Sequence, residues 1–315
     1  MSASSSSGGP PDSRAVLVLG EALVDELPGG PVAGGAPLNV ACHLRAFGCA
    51  PLLVSRIGAD DAAGRRVEAA MRDAELSLDG VQRDAQRPTG IVQVQMRADA
   101  THRFVIGADA AWDHVDAQEA LALLPALAPR FVYFGCLAQR QPVSRGAFRA
   151  MLSRAEAPHL LDLNLRDGVD ARLALDCLAL ADWLKVNDEE LAQLRVWSDC
   201  ADPFELLRRF GLQRLIVTRG AAGYFCLDAH DAQCVEGPGL TQVPVVDTVG
   251  AGDAFSACLL AAHLCGKDWG AGLALANEFA AAMCGQAGAC VADPASFYPP
   301  WRQALAALPQ ARSDT

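Results

Sequence analysis

The sequence predicts an α/β fold, a doubly wound and mostly parallel sheet with helices on both faces, plus a small β-sheet set apart from it. Three observations predict it. Apolar runs of strand length alternate with helix-like runs, the rhythm of repeated βα units. Polar residues close several of these runs, where parallel sheets hold their ligands. One stretch, Thr89 to Asp113, breaks the rhythm with apolar–polar alternation and reads as an antiparallel hairpin.

The elements follow in order. AVLVL (Ala15–Leu19) is the first strand, and LNVACHLRAFG (Leu38–Gly48) a helix that ends at glycine. PLLVSRIG (Pro51–Gly58) is a strand and Asp60–Glu75 a polar-faced helix. In the hairpin, Ile91, Gln93 and Gln95 alternate with Val92, Val94 and Met96; Ala98–Ala100 supplies the turn and Arg103–Ile106 returns. Strand material near Asp25–Val32 can join it in the small sheet. Phe131–Gly135, His159–Asn164, Asp182–Asn187 and Arg214–Gly220 supply further strands, with Asn164, Asn187 and Thr218 at their ends. Asp253–Cys265, rich in Ala and Leu, is a helix, and Leu273–Ala289 begins as another.

Composition narrows the function. The 315 residues are 51% hydrophobic and 20% charged, enough for a large core in one domain or two. The net charge of −11, with no block of Lys or Arg, argues against nucleic-acid and membrane-surface partners. It leaves room for an anionic nucleotide held by local donors. No run reaches the ~18 apolar residues of a membrane span. Eleven Cys without a CxxC pair read as buried, reduced thiols of a cytoplasmic protein, not as a disulfide framework or zinc site. Residues 1–14, rich in Ser, Gly and Pro, read as a disordered leader, and 310–315 as a loose tail; the folded domain spans 15–309.

The densest motif is DTVGAGDAF (Asp247–Phe255). Gly250 and Gly252 let the backbone point successive N–H groups at one spot, and the helix that follows adds its dipole. Such a turn binds anions. Asp253 alone has an ordinary reading as an N-cap. A second constellation is GEALVDELPGG followed by GGAPLNVA: Asp25 can accept from two hydroxyls, Asn39 can donate and accept, and the Gly34-Gly35 turn lets a hydroxyl approach backbone N–H. These parts suit a polyol. A third is DLNLRDG (Asp162–Gly168) with WLKVNDEEL (Trp183–Leu191), in which Asn187 and Glu190 stand three apart. Asp188, Glu189 and Glu190 also read as the acidic first turn of a helix, Arg166 as a solvated surface residue and Lys185 as structural. A fourth is RLIVTRGAAGYF (Arg214–Phe225), where Gly220 and Gly223 turn the chain after Thr218 into a returning strand. The Walker loop, HExxH, GxSxG and a dinucleotide GxGxxG after the first strand are absent from the sequence.

Together these strings resemble the ribokinase-like (PfkB) carbohydrate kinases, closest to the fructokinase-like members, over roughly Val16 to Ala289. The resemblance implies an ATP-dependent transfer to a sugar hydroxyl. It assigns Asp253 as general base and Gly250, Ala251 and Gly252 as an anion hole. It assigns Asp25, Gly34, Gly35, Asn39 and Arg166 to the substrate. Asn187, Glu190, Thr218, Gly220, Gly223 and Asn277 go to the nucleotide side. Glu190 would hold Mg²⁺ through water and Asp247 a monovalent cation such as K⁺. Ala36-Pro37 stand where phosphosugar kinases often carry a basic residue, which favours a free sugar, fructose first. Kinases for 2-keto-3-deoxygluconate, ribose or a nucleoside, and a non-catalytic binding protein, remain as alternatives. The small sheet from about 25–33 and 89–113 would be a lid over the sugar, and its outer apolar face a homodimer contact.

Overall fold

The computed structural model describes residues 12–27, 29–96, 102–230, 234–240 and 245–311. The hairpin turn at Ala98–Ala100 and nearly all of the leader and tail lie outside the described residues. Thirteen strands form among the described residues. Nine of them, β1 (Ala15–Leu19), β4 (Ala50–Gly58), β5 (Val81–Asp84), β8 (Phe131–Phe134), β9 (His159–Asp162), β10 (Trp183–Asn187), β11 (Arg214–Thr218), β12 (Tyr224–Asp228) and β13 (Cys234–Gly237), make one sheet. Its order is β13-β12-β11-β10-β9-β8-β1-β4-β5. From β11 to β5 every pairing is parallel; β12 and β13 add antiparallel at the other edge. The remaining strands, β2 (Leu23–Leu27), β3 (Gly30–Gly34), β6 (Gly90–Met96) and β7 (His102–Ile106), form the predicted small sheet in the order β3-β2-β6-β7.

The parallel strands are apolar on both faces because both are covered. Val16 and Val18 of β1 point into one core cluster with the helices Ala36–Ala46, Ala251–Leu264 and Trp269–Met283. Leu17 and Leu19 point into the other, against Pro142–Leu152, Ala171–Leu178 and Asp188–Ser198. The same alternation in β10 puts Trp183 on the first face and Leu184 and Val186 on the second. Lys185 therefore shares Trp183's face, toward the helix Ala251–Leu264. Burying a lysine there is a conflict that only a function or a partner can resolve.

The helix ends differ from the sequence reading by a residue or two. The expected helix at Leu38–Gly48 runs Ala36–Ala46, with Gly35 at φ +106° before it. Asp25 lies in the middle of β2. The four-stranded sheet starts at Leu23, so it takes more of the N-terminal segment than 25–33.

One tie between the small sheet and the large one runs through Thr89. Thr89, just before β6, receives its place from Asp61: its N–H donates to Asp61 Oδ2 at 2.7 Å and its hydroxyl to Asp61 Oδ1 at 2.9 Å. Thr89 Oγ1 in turn accepts the N–H of Gly58 at 2.9 Å, at the end of β4. Asp61 also caps the helix Ala62–Asp73 through the Gly64 N–H, and these bonds hold its carboxyl below the usual range against the effect of its partial burial. Asp61→Ala removes the cap and both threonine bonds together. It is expected to cost about 1–3 kcal/mol of stability, readable as a lowered urea midpoint. A midpoint unchanged from the parent would show that the small sheet is anchored elsewhere.

Candidate active site

The carboxyl ends of the parallel strands open into a cleft of about 590 Å³, roofed on one side by the small sheet. Each strand delivers residues to it in register. Glu21 follows β1, Gly135 and Cys136 follow β8, and Asp162 and Asn164 end β9. Lys185 and Asn187 end β10, and Thr218 ends β11. Asn164 is one of few non-glycine residues in the left-handed region, at φ +40°, an uncommon conformation that marks this loop as tightly held.

At the base of the cleft lies the turn before the helix Ala251–Leu264. Gly250 is the N-cap, at φ +79°, and Asp253 is the third residue of the helix. The N-cap reading of Asp253 is thus corrected: Gly250 takes that position, and the Asp253 side chain turns into the cleft. Its Oδ2 accepts from Asn39 Nδ2 at 2.8 Å. The Ala251 N–H turns back onto the Thr248 carbonyl at 3.3 Å. Ala251 does not line the cleft, while Gly250, Gly252 and Asp253 do. The first turn of a helix lacks internal acceptors for its N–H groups, so Gly252 and Asp253 present the donors of an anion site. Gly250 has to be glycine twice over: its φ is left-handed, and a Cβ would come within 2.5 Å of Ala289 Cβ.

Behind the base sits the buried lysine. Lys185 and Asp162 are paired neighbours on β10 and β9, and Nζ meets the two carboxylate oxygens at 3.1 and 3.0 Å. Asp162 Oδ2 also accepts from Ser256 at 2.8 Å and from the Tyr133 hydroxyl at 3.3 Å. A Cβ on Gly252 would lie 2.9 Å from Lys185 Nζ, so the ammonium underlies the anion turn. Lys185 is 7% and Asp253 8% exposed. Burial and the Asp162 charge push the Asp253 carboxyl up to about 6, against the pull of Asn39, Lys185 and Arg166. A carboxylate in that range is a stronger base than a solvated one and is still ionised near neutrality.

The residues that the resemblance assigns to the substrate share one cleft. Asp25, Gly34, Gly35, Asn39 and Arg166 all line the cleft. Burial raises Asp25 to about 6, with Arg166 opposing. Arg166 donates to the Leu165 carbonyl at 3.0 Å and is exposed, yet its charge reaches Asp25, Asp253 and Glu21. Asn39 is committed on its donor side to Asp253, so it positions the base as well as facing the cleft. The sequence reading missed three residues here: Glu21, Asp162 and Lys185 as its partner. Glu21 is buried, lines the cleft and is raised to about 7 by that burial, while the Ala36 N–H and Arg166 pull it down. The GE dipeptide opening the second constellation was the available signal. No signal short of strand register joins Asp162 to Lys185.

The nucleotide-side residues divide. Asn187, Glu190, Thr218 and Asp247 line the cleft; Gly220, Gly223 and Asn277 do not. Asn187 and Glu190 form a capping box: Asn187 Oδ1 accepts the Glu190 N–H at 2.8 Å and Glu190 Oε2 the Asn187 N–H at 2.9 Å. Glu190 Oε1 accepts the Leu165 N–H at 2.7 Å. The helix-start reading of this acid-rich turn holds, and Asn187 and Glu190 line the cleft as well. Gly223, at φ +88°, makes the turn into β12, and Asn277 donates to the Pro238 carbonyl at 3.0 Å. Asp247 accepts the N–H groups of Val249 and Gly288, both at 3.0 Å, tying the anion turn to the 285–289 segment. Among the described residues no three His, Cys, Asp or Glu side chains cluster as a metal cage. Glu190, whose two oxygens accept backbone N–H groups, would at most hold Mg²⁺ through one of its waters, and a sparse donor set is compatible with that ion because it keeps several waters.

Comparison with known proteins agrees with this geometry. The pfkB family carbohydrate kinase profile matches residues 30–296. A fructokinase of Klebsiella pneumoniae is 33% identical over 261 residues, covering 78% of this chain and 83% of that protein. An aminoimidazole riboside kinase of Salmonella typhimurium is 30% identical over 266 residues, 78% of this chain and 79% of that protein. Among solved structures, a Xylella fastidiosa fructokinase with bound ATP shares the fold at a TM-score of 0.77 and 24% identity, over 88% of this chain and 94% of that one.

The buried pair gives a test of the site's construction. Lys185→Met leaves Asp162 without its cation in a buried setting. The expected loss is about 3–5 kcal/mol of stability, the usual result of removing one partner of a buried pair. Calorimetric unfolding within about 1 kcal/mol of the parent would show that Ser256 and Tyr133 alone satisfy Asp162.

Proposed function

Because the chain belongs to the pfkB family of carbohydrate kinases and is an ATP-dependent sugar kinase, we propose that its acceptor is free fructose and that Asp253 is the general base. The observation that carries the mechanism is the position of Asp253: buried at a helix start, beside N–H donors, at the base of a cleft with Asp25 and Arg166 on its wall. Asp253 takes the proton of the sugar hydroxyl, and that oxygen attacks the γ-phosphorus in line. The N–H groups of Gly252 and Asp253, with Lys185 beneath them, stabilise charge on the transferring group. Bound Mg²⁺ supplies neutralisation of the phosphate charge. Asn39 keeps Asp253 oriented. Asp25 and Asn39 take sugar hydroxyls, and Ala36-Pro37 leave no basic side chain at the turn for a sugar phosphate. The nucleotide lies toward Asn187, Thr218 and Asp247, with Gly220, Gly223 and Asn277 shaping the outer part of that side. A monovalent cation beside Asp247 belongs to the same reading.

Support for fructose comes from the fructokinase relatives, at about 30% identity. The riboside kinase relative favours a second reading, a nucleoside acceptor. The small sheet is proposed as a lid over the sugar: Val92 and Ile106 line the cleft, while Ile91 and Val105 line a groove of about 270 Å³ on its opposite face. That opposite face is the proposed contact for a second copy of the chain, and light scattering showing only monomer at micromolar concentration would remove this part.

ATP turnover over a panel of fructose, glucose, ribose, 2-keto-3-deoxygluconate and nucleosides decides the acceptor. Fructose is expected to give the highest kcat/KM, and a nucleoside ahead of it would overturn the first reading. Asp253→Asn is expected to lower kcat by about 10²–10⁴-fold with sugar affinity largely kept. Near-parental kcat in that variant would leave Asp253 as a structural residue only.

A further inference from the structure

Two thiols meet beside the base of the cleft, and phosphoryl transfer uses neither. Cys42 follows Asn39 by three positions on the helix Ala36–Ala46, so the two share a face. Cys290 comes from the other side of the site, directly after the Gly288–Ala289 turn. Its Sγ donates to Asn39 Oδ1 at 3.8 Å, and the Cys42 thiol lies close enough to it for each to shift the ionisation of the other. Cys290 is exposed and Cys42 half-buried, so a small oxidant can reach the pair. A second thiol pair, Cys136 with Cys177, has both members buried and offers no such access.

The position of Cys290 couples it to the chemistry. Ala289, next in the chain, packs where a Gly250 Cβ would stand, and the Gly288 N–H holds the Asp247 carboxylate. On its other side, Cys290 touches the oxygen of the same Asn39 amide whose nitrogen holds Asp253. Any displacement of Cys290 toward Cys42 therefore acts on the anion turn and on the base together.

We propose that Cys42 and Cys290 are a thiol modification site, oxidised by hydroperoxides to a disulfide that switches phosphoryl transfer off. The inference rests on the kinase reading of the cleft. The Cys290 thiolate attacks one oxygen of the hydroperoxide ROOH. The S–O bond forms, the O–O bond breaks, and the departing alkoxide takes a proton to leave as ROH. The Cys42 thiolate then attacks the Cys290 sulfur. The S–S bond forms, the S–O bond breaks, and hydroxide leaves as water with the proton that Cys42 lost. The two sulfurs together give up two electrons, and these reduce the O–O bond. The roles follow from access and from hydrogen bonding. The Cys42 thiol donates to Cys290, which holds Cys290 below the usual thiol range and Cys42 above it, and the thiolate is the nucleophile.

The test treats the purified full chain with hydrogen peroxide, blocks remaining thiols and maps disulfides by mass spectrometry, with turnover measured on the same samples. The expected result is a linked Cys42–Cys290 peptide pair, a fall in turnover of at least about tenfold, and recovery on adding dithiothreitol. Cys42→Ser should keep its starting turnover and become insensitive to peroxide. Cys234→Ser, at an exposed thiol on β13, should stay as sensitive as the parent. Three results would overturn the proposal: no Cys42–Cys290 link, a link with unchanged turnover, or inactivation of Cys42→Ser as fast as the parent. The link is read by mass alone. If no acceptor is phosphorylated, hydrogen exchange of residues 246–253 in the two forms still reports whether the link moves the turn, so failure of the kinase reading is distinguishable.

Discussion

Two carboxylates buried at the same end of one sheet, Asp162 and Asp253, set the terms for the rest of the cleft. Burial and the Asp162 charge beside it raise the cost of ionising Asp253, and little water is left there to screen the repulsion. The fold answers with one ammonium and a few directed donors. Lys185, Ser256 and Tyr133 converge on Asp162, and Asn39 holds Asp253. The result is asymmetric. Asp162 is saturated with donors and serves as a counter-charge that keeps Lys185 under the anion turn. Asp253 keeps its second oxygen without a donor among the described residues and faces the cleft.

That asymmetry depends on elements far apart in sequence. Lys185 reaches Asp162 because β9 and β10 pair in parallel with this register, and a slip of one residue would send the lysine to the opposite face. Asn39 reaches Asp253 because the helices Ala36–Ala46 and Ala251–Leu264 pack in one core cluster. Glu21 lies in the loop between β1 and β2 and Asp25 in the middle of β2, so this short stretch of chain brings two carboxylates to the cleft wall. Asp61 and Thr89 tie the small sheet to this scaffold, and Val24 joins it to the core cluster beneath.

Much of this was legible in the sequence, for identifiable reasons. β1 and β8 stand at or within a residue of where their apolar runs placed them, because fully buried parallel strands are continuous apolar runs bounded by polar residues. The anion turn was legible because Gly250 and Gly252 precede an Ala-rich helix. The hairpin was legible from alternation. What stayed hidden depends on register and contact. The ordinary N-cap alternative for Asp253 falls away because the start of a helix is set by backbone dihedrals, and the left-handed Gly250 takes the cap position. Lys185 has the same sequence environment whether it is structural or part of the site. The cysteines read as buried and unpaired, yet Cys42 and Cys290 are brought together only by the packing of the 285–290 segment on the first long helix. Glu190 shows a third limit: its capping box and its place on the cleft wall use the same residues, so neither reading excludes the other.

Asp253, as the proposed base, has its proton affinity raised by burial and by Asp162. The pH dependence of kcat/KM for sugar tests it most directly, since that ratio reports ionisations of the free enzyme. The base works deprotonated, so activity is lost as pH falls. The account predicts an acid limb with an apparent pKa near 6, to which Asp25 and Glu21 in the same cleft also contribute. A profile that stays level down to about pH 5, where an ordinary solvated carboxylate is still ionised, would contradict it.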